Sequence, residues 1–316
     1  MRRIIGALLT LAALSFSAAA QDYPNKTITL IVAFPAGGGV DTVGRLIAQK
    51  LTAALGQQVI VENKPGAGSV IGSRIAAKAP PDGYTLLLMV TGLSLPANTG
   101  YDVAKDFAPV GLIASIPIVV MANPSVPVTT VADMIAFAKK EPGKLTIGTP
   151  PPPTLNYFGI EQFKAMSGAE VNIVTYRGTG PLTNDLVGGH VMVAFNTLPP
   201  AMGNIQAGTI KPIAVASAQR VAALPNVPTV AESGLPGFDV VQYYGLAAPG
   251  GTPRPIIDRL NKELRAIVNS DDIKVRIIAD GGTPAASTPE EYAANIAREE
   301  AKWDALIKQL GLAVNQ

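Results

Sequence analysis

The chain of 316 residues has no cysteine and a single histidine, His190. Without thiols there is no disulfide and no thiolate metal site, and one imidazole cannot build a multi-histidine centre. Nucleophilic catalysis is narrowed in the same way, because a serine–histidine pair would have to use His190. No Gly-x-Ser-x-Gly elbow occurs, and "GAGSV" at 66–70 does not fit one. "VGGH" at 187–190 reads as the end of a short helix, which places His190 on the surface and counts against a secreted hydrolase. No metal, no cofactor and no enzymatic activity are expected. Excess charge is also absent. Arg2 and Arg3 are two of the 25 basic residues, and beyond residue 20 the chain carries 23 basic against 23 acidic side chains. That balance gives no electrostatic footprint for nucleic acid and no polybasic strip for a membrane. The apolar run from Ile4 to Phe16 is shorter than the ~20 residues needed to span a bilayer. It follows two arginines and leads to Ala18, Ala19 and Ala20, the pattern of a secretory signal peptide cut after Ala20, with Gln21 as the new N-terminus. An exported chain without disulfides depends on its core, and at nearly 300 residues it buries about three-quarters of its unfolded surface.

What is present is a repeated alternation of strand and helix. "TITLIVAF" (27–34) is β-branched and reads as a buried strand; "TVGRLIAQKLTAALG" follows with Val43, Leu46, Ile47, Leu51 and Leu55 at helical spacing. "QQVIVENK" and "YTLLLMV" are strands on either side of a helix stopped by Pro80 and Pro81. The pattern continues through "LTIGT", "VNIVTYRGTG", "VMVAFNT" and "QYYGLAAP", and the chain ends in helices. This predicts an α/β fold of two lobes, each a mainly parallel sheet flanked by helices. The chain leaves lobe one near residue 122, builds lobe two over 123–237, and returns near 238. Lobe one therefore comprises 21–122 and 238–316. Two crossings make a hinge, with a cleft between the lobes.

Ligands of open α/β sheets sit beyond the carboxyl ends of strands. Two glycine loops lie there, "FPAGGGVD" at 34–41 and "RGTG" at 177–180, one per lobe. A phosphate loop needs Gly-Lys-Ser/Thr, but Gly39 is followed by Val40 and Asp41. The dinucleotide fingerprint fails at its third glycine, where Thr42 stands, and Asp41 would repel a pyrophosphate. The remaining reading is an anion seat of another kind. A helix N-terminus offers unpaired N–H groups and roughly half a positive charge, enough to hold a carboxylate without arginine. Asp41 either caps its helix or accepts a hydrogen bond from a ligand. Two such seats across a cleft suit a molecule with two polar ends.

Over almost its full length beyond residue 20 the chain resembles the Bug-type extracytoplasmic solute receptors of tripartite tricarboxylate transporters. The residues that carry the resemblance are "YPNKTITLIVAFPAGGGVD", "VIVENKPGAGSVIGSRIAAKAPPDGYTLLL", "VTYRGTGPLTNDLVGGHVMVAFNTLP", "AGTIKPIAVASAQRVAALPNVPTVAESGLPGFDV" and "YYGLAAPGGTPRPIIDRLN". The resemblance implies a type II periplasmic binding protein fold that closes on a small carboxylic acid, a periplasmic location, inner-membrane transporter subunits as partners, and a monomer. A ligand-sensing subunit of a signalling system would share the fold and pocket, and it stays open beside transport. Carried onto this chain, the first seat is Phe34, Pro35, Ala36, Gly37, Gly38 and Asp41, and the second Arg177, Gly178, Thr179 and Gly180. Pro65 to Ser69 border the cleft. Thr91 and Ser94 supply hydroxyls, Asn196 and Thr197 line the second lobe, and Tyr243 or Tyr244 on the return crossing covers the ligand. Where the family commonly has a glycine- and serine-rich turn, this chain has "PPPPTLNY" at 150–157. Prolines donate no N–H. Thr149, Thr154 and Asn156 remain as partners there, and the expected pocket is drier and stiffer, suited to a ligand with an apolar or aromatic part. Trp303, in the last helix, is expected to be a packing anchor.

Overall fold

The computed structural model describes residues 23–91 and 99–311. The signal-peptide expectation and Ser94 lie outside those residues. The first strand, β1 (Ile28–Val32), is almost wholly buried and pairs in parallel with β2 (Val59–Asn63) and β3 (Thr85–Thr91). Between β1 and β2 runs helix α1 (Gly39–Leu55), which buries Val43, Ile47, Leu51 and Leu55 along one face. It ends where Gly56 turns left-handed (φ 69°) and returns its N–H to the Thr52 carbonyl. A single 3-10 turn (Ala67–Ser69) opens α2 (Val70–Ala77).

After the short α3 (Val103–Asp106) comes β4 (Phe107–Ala122), 16 residues long and buried over most of its length. The sheet changes partner along this strand. Its first part pairs antiparallel with β9 (Val241–Pro249), and from Ile118 onward it pairs antiparallel with β7 (Val193–Thr197) and β8 (Lys211–Val215). The second half of the molecule repeats the parallel theme. β5 (Thr146–Thr149) lies between β6 (Asn172–Thr175) and β7, parallel to both. Helices α4 (Val131–Lys140), α5 (Leu155–Ser167) and α6 (Thr179–Val187) flank these strands, and the short α7 (Met202–Gln206) precedes β8. The result is one curled, mixed sheet in the order β2-β1-β3-β9-β4-β7-β5-β6. Each outer part is parallel, as the strand–helix alternation requires. The middle is antiparallel because β4 and β9 run in opposite directions between the two parts.

The chain closes with α8 (Arg254–Asn269), α9 (Asp271–Ala279), the two-residue β10 (Thr283–Pro284) against β4, and α10 (Pro289–Gln309). In α8, Ile256, Ile257, Leu260, Leu264, Ile267 and Val268 form the buried stripe, the amphipathic spacing of a helix laid on a sheet. Among the described residues no helix is long and apolar enough to cross a membrane. Trp303 in α10 is fully buried against Phe158 of α5, with ring centroids 6.5 Å apart, so the C-terminal helix reaches across to the second half of the sheet.

Candidate ligand-binding site

α1 and α6 begin in the same way. Each follows a strand, each has glycine at its N-cap (Gly38 and Gly178), and neither cap receives a side-chain hydrogen bond. The first-turn N–H groups of both helices therefore have no partner from their own chain end. The two loops meet. A Cβ placed on Gly38 would lie 2.8 Å from Thr179 Oγ1, one on Gly178 would lie 3.1 Å from Pro35 Cγ, and one on Gly68 would lie 2.7 Å from Pro153 Cδ. Glycine is what lets these surfaces come together, and the cleft between them is closed. Inside it is a cavity of about 560 Å³, within the usual size range of small-molecule sites.

The cavity sorts its lining by chemistry. Phe34, Pro35, Ala36 and Gly38 form one wall, and Arg177, Gly178, Thr179 and Gly180 face them. Pro65 to Ser69 close one side and Pro150 and Pro151 another, so the proline run contributes apolar rings rather than N–H donors. Arg177 is the charged residue of the lining, and it is exposed at the rim. The floor is polar. Tyr244 and Gln242, two apart on β9 and so on one face, sit there with Asn156 of α5 and Thr197 of β7.

Several residues expected in the site do other work. Asp41 is 3% exposed and faces inward, away from the cavity. Its carboxylate accepts from Gly37 N–H (2.9 Å), Arg45 Nε (3.0 Å) and Asn63 Nδ2 (2.9 Å). It thus braces the first glycine loop from behind, and Gly37, at φ 79°, bends the loop back toward it and, like Asp41, does not line the cavity. Burial opposes the charge, but the hydrogen bonds from Arg45, Gly37 and Asn63 outweigh it and hold the carboxyl below its ordinary pKa. A depressed folded value means that the stabilisation is complete above the ordinary carboxylate pKa and is lost as pH falls through the folded value. Thermal midpoint against pH should therefore drop on the acid side, and Asp41→Asn should flatten that limb while lowering the plateau. An unchanged acid limb in Asp41→Asn would show that the cage contributes nothing.

Asn196 is fully buried and does not line the cavity. Its amide donates to Thr179 O (3.2 Å) and Thr183 Oγ1 (3.0 Å), and its carbonyl accepts from Thr197 N–H. It fastens the start of α6 to β7. Thr91 borders a separate void of about 30 Å³ behind Phe34, and its hydroxyl lies near the Tyr243 carbonyl and Asn295 Oδ1. Of the tyrosine pair, Tyr244 reaches the cavity. Tyr243 points to the other face of β9, where Arg298 stands over its ring at 6.0 Å. Thr149 is fully buried with an unpartnered hydroxyl, one residue before the proline wall. Thr154 does line the cavity, but its hydroxyl caps α5, accepting from Tyr157 N–H and donating to the Pro150 carbonyl. His190 is exposed in the turn after α6.

Gln242 lines the cavity but belongs to no motif in the sequence. The signal that finds it is its place two residues before Tyr244 on a strand that crosses between the halves of the sheet. Gly39, Val40 and Pro181 also line the cavity; they are the first residues of the two helices, immediately after the loops that drew attention.

A family model described as "Tripartite tricarboxylate transporter family receptor" (TctC) matches residues 43–312. Protein BugT of Bordetella pertussis is 33% identical over 314 residues, covering 98% of this chain and 96% of BugT. Among solved structures, an R. palustris protein with adipate aligns with a TM-score of 0.89 at 35% identity, over 92% of this chain and 99% of that one. MatC from Rhodopseudomonas palustris, with bound malate, aligns with a TM-score of 0.85 at 29% identity, over 90% of this chain and 100% of MatC.

Proposed function

The chain belongs to the tripartite tricarboxylate transporter receptor family, a family of periplasmic solute-binding receptors rather than enzymes, and on that premise we propose that it captures a small organic dicarboxylate with an apolar or aromatic body and delivers it to inner-membrane transporter subunits. The observation that carries this reading is the pair of uncapped glycine helix starts facing each other across one cavity. Each N-terminus is equivalent to about half a positive charge. With Arg177 they sum to about two, the complement of a dianion. Adipate and malate in the two similar structures are acids of this kind. The proline wall favours a larger apolar body than malate has. Phe34 to Gly38 with Arg177 to Gly180 form the two carboxylate seats in this reading, and Thr197 and Tyr244 the floor between them.

Lobe one as 21–122 with 238–316, and lobe two as 123–237, place the hinge on β4 and β9. The exchange of partners along β4 near Ile118 supports that division. The mature receptor starts at Gln21, after cleavage behind Ala20, and works as a monomer. Thermal unfolding of the mature protein against C4 to C6 dicarboxylates, acidic amino acids, citrate, and aromatic mono- and dicarboxylates tests the ligand class. At a hundred times its Kd a ligand stabilises by about 2.7 kcal/mol. A rise with an acid but not with its amide or ester is the expected result. No rise with any acid would sink the carboxylate assignment.

A further inference from the structure

The cavity holds a third group of hydrogen-bond donors that neither seat uses. Between β2 and α2, Gly66, Ala67, Gly68 and Ser69 all have positive φ, at 139°, 46°, 61° and 100°. Glycine adopts such backbone freely, whereas alanine and serine adopt it under strain. The run takes Ser69 out of its ordinary role. It stands at the N-cap of α2, where a serine hydroxyl normally accepts from the first helical turn, yet it makes no capping bond. Ser69 is 5% exposed and lines the cavity. Among the described residues its hydroxyl has no hydrogen-bond partner, and neither have the N–H groups of Ala67 and Gly68, which line the cavity beside it. The turn's own bonds use the N–H groups of Ser69, Val70 and Ile71 instead.

These donors call for an acceptor on the ligand. Pro150 and Pro151, on another side of the cavity, have no N–H and meet only its apolar face. A third carboxylate or a neutral carbonyl could supply the acceptor, and charge decides between them. Arg177 is the one charged residue of the lining, and with the two helix starts it already balances a dianion. A third carboxylate would be buried here without a counter-charge, which is costly. A ketone oxygen accepts without bringing charge. A hydroxyl matches less well, because its own proton meets backbone N–H groups that can only donate. Resting on the receptor reading above, we propose that Ala67, Gly68 and Ser69 form a third subsite that reads a keto oxygen on the body of the ligand. Ser69 is its specificity-determining residue, and the ligand is a keto-substituted dicarboxylate.

Titration calorimetry on the mature protein tests this with glutarate, 2-hydroxyglutarate, 2-oxoglutarate and tricarballylate, and with adipate against 2-oxoadipate. For at least one chain length the keto acid is expected to bind about tenfold tighter or more than its parent diacid, the usual scale for leaving buried donors unpaired. Ser69→Ala keeps the side-chain stub and removes the hydroxyl; it should cut that ratio at least about threefold. Ser69→Gly removes the hydroxyl and also relieves the backbone. It should cut the ratio equally while leaving the ligand-free thermal midpoint no lower than the parent's. A midpoint that falls in Ser69→Gly would show that the serine serves the fold, and would overturn its role. No keto preference, or one that survives both variants, overturns the subsite and leaves the receptor reading intact. Tightest binding of tricarballylate or 2-hydroxyglutarate overturns the keto assignment. Binding of none of the six acids overturns the subsite, and the receptor reading falls with it only if no acid of the wider panel stabilises the protein.

Discussion

Gly39→Val is expected to weaken ligand binding by about a hundredfold or more while moving the ligand-free thermal midpoint by only a few degrees. The two effects separate because the obstacle exists only in the closed cleft. Gly39 is the first residue of α1 and has no left-handed backbone to relieve. Valine in place of glycine at a helix start costs little or nothing in propensity. Its Cβ, however, falls 2.9 Å from Thr197 Oγ1 and 3.5 Å from Thr197 Cβ, closer than a buried side chain on a central strand can yield. In the lobe division proposed above Thr197 belongs to the other lobe, so opening would remove the clash. A receptor whose affinity depends on closing around its ligand then loses the closed state. Calorimetry gives the affinity and small-angle scattering the radius of gyration. A folded Gly39→Val protein that binds within threefold of the parent would show that closure on this side is unnecessary. Gly38→Ala is a milder case, since its obstacle is the Thr179 hydroxyl at 2.8 Å, which can rotate away. Its backbone, at φ −84° and ψ 171°, suits any residue.

The same geometry explains which parts of the site could be read in advance. Glycine loops after strands are visible because a missing side chain is itself a signal, and both loops contribute to the cavity lining, though Gly37 turns away from it. Arg177, Thr197 and the segment from Pro65 to Ser69, to which the family resemblance pointed, line it too. The residues that went elsewhere are those whose destination depends on which way a side chain turns. Asp41 is four residues from Gly37, so it folds back onto its own loop, and Asn63 on a neighbouring strand completes the cage. Nothing in the local sequence announces that second partner. Tyr243 and Tyr244 are equivalent by composition, and only the register of β9 against β3 and β4 decides which one faces the cleft. Asn196 beside Thr197 poses the same choice, and the buried amide is taken up by the turn into α6. In the fold, the alternation of elements was legible, because apolar periodicity is local. The antiparallel centre of the sheet was not, because the pairing of β4 with β9 joins residues more than a hundred positions apart. Likewise, the hydrogen bonds that run from Tyr244 through Gln242 and Asn156 to the Phe195 carbonyl draw on three separate elements, and no spacing rule connects them.

Trp303→Ala should lower the unfolding free energy by about 3–5 kcal/mol, the range for emptying a buried tryptophan site. The ring has no measurable exposure and lies between α10 and Phe158 of α5, so its loss opens a cavity at a junction where the C-terminal helix holds the second half of the sheet. A second tie lies beside it. Lys302 Nζ donates to the Asp239 carbonyl (3.0 Å) and carboxylate (2.9 Å) just before the strand that returns the chain. That ion pair is partly exposed, and such pairs contribute at most about 1 kcal/mol; it cannot offset the missing ring. Trp303→Phe should cost less, about 1–2 kcal/mol, because the indole Nε1 is buried without a partner. Phenylalanine therefore forfeits volume but no hydrogen bond. Since Trp303 is the chain's one tryptophan, both variants must be followed by far-UV circular dichroism in urea and not by fluorescence. A loss below about 1 kcal/mol for Trp303→Ala would mean that α10 docks through its other contacts. Equal losses for alanine and phenylalanine would instead mean that phenylalanine recovers none of the packing the indole supplies.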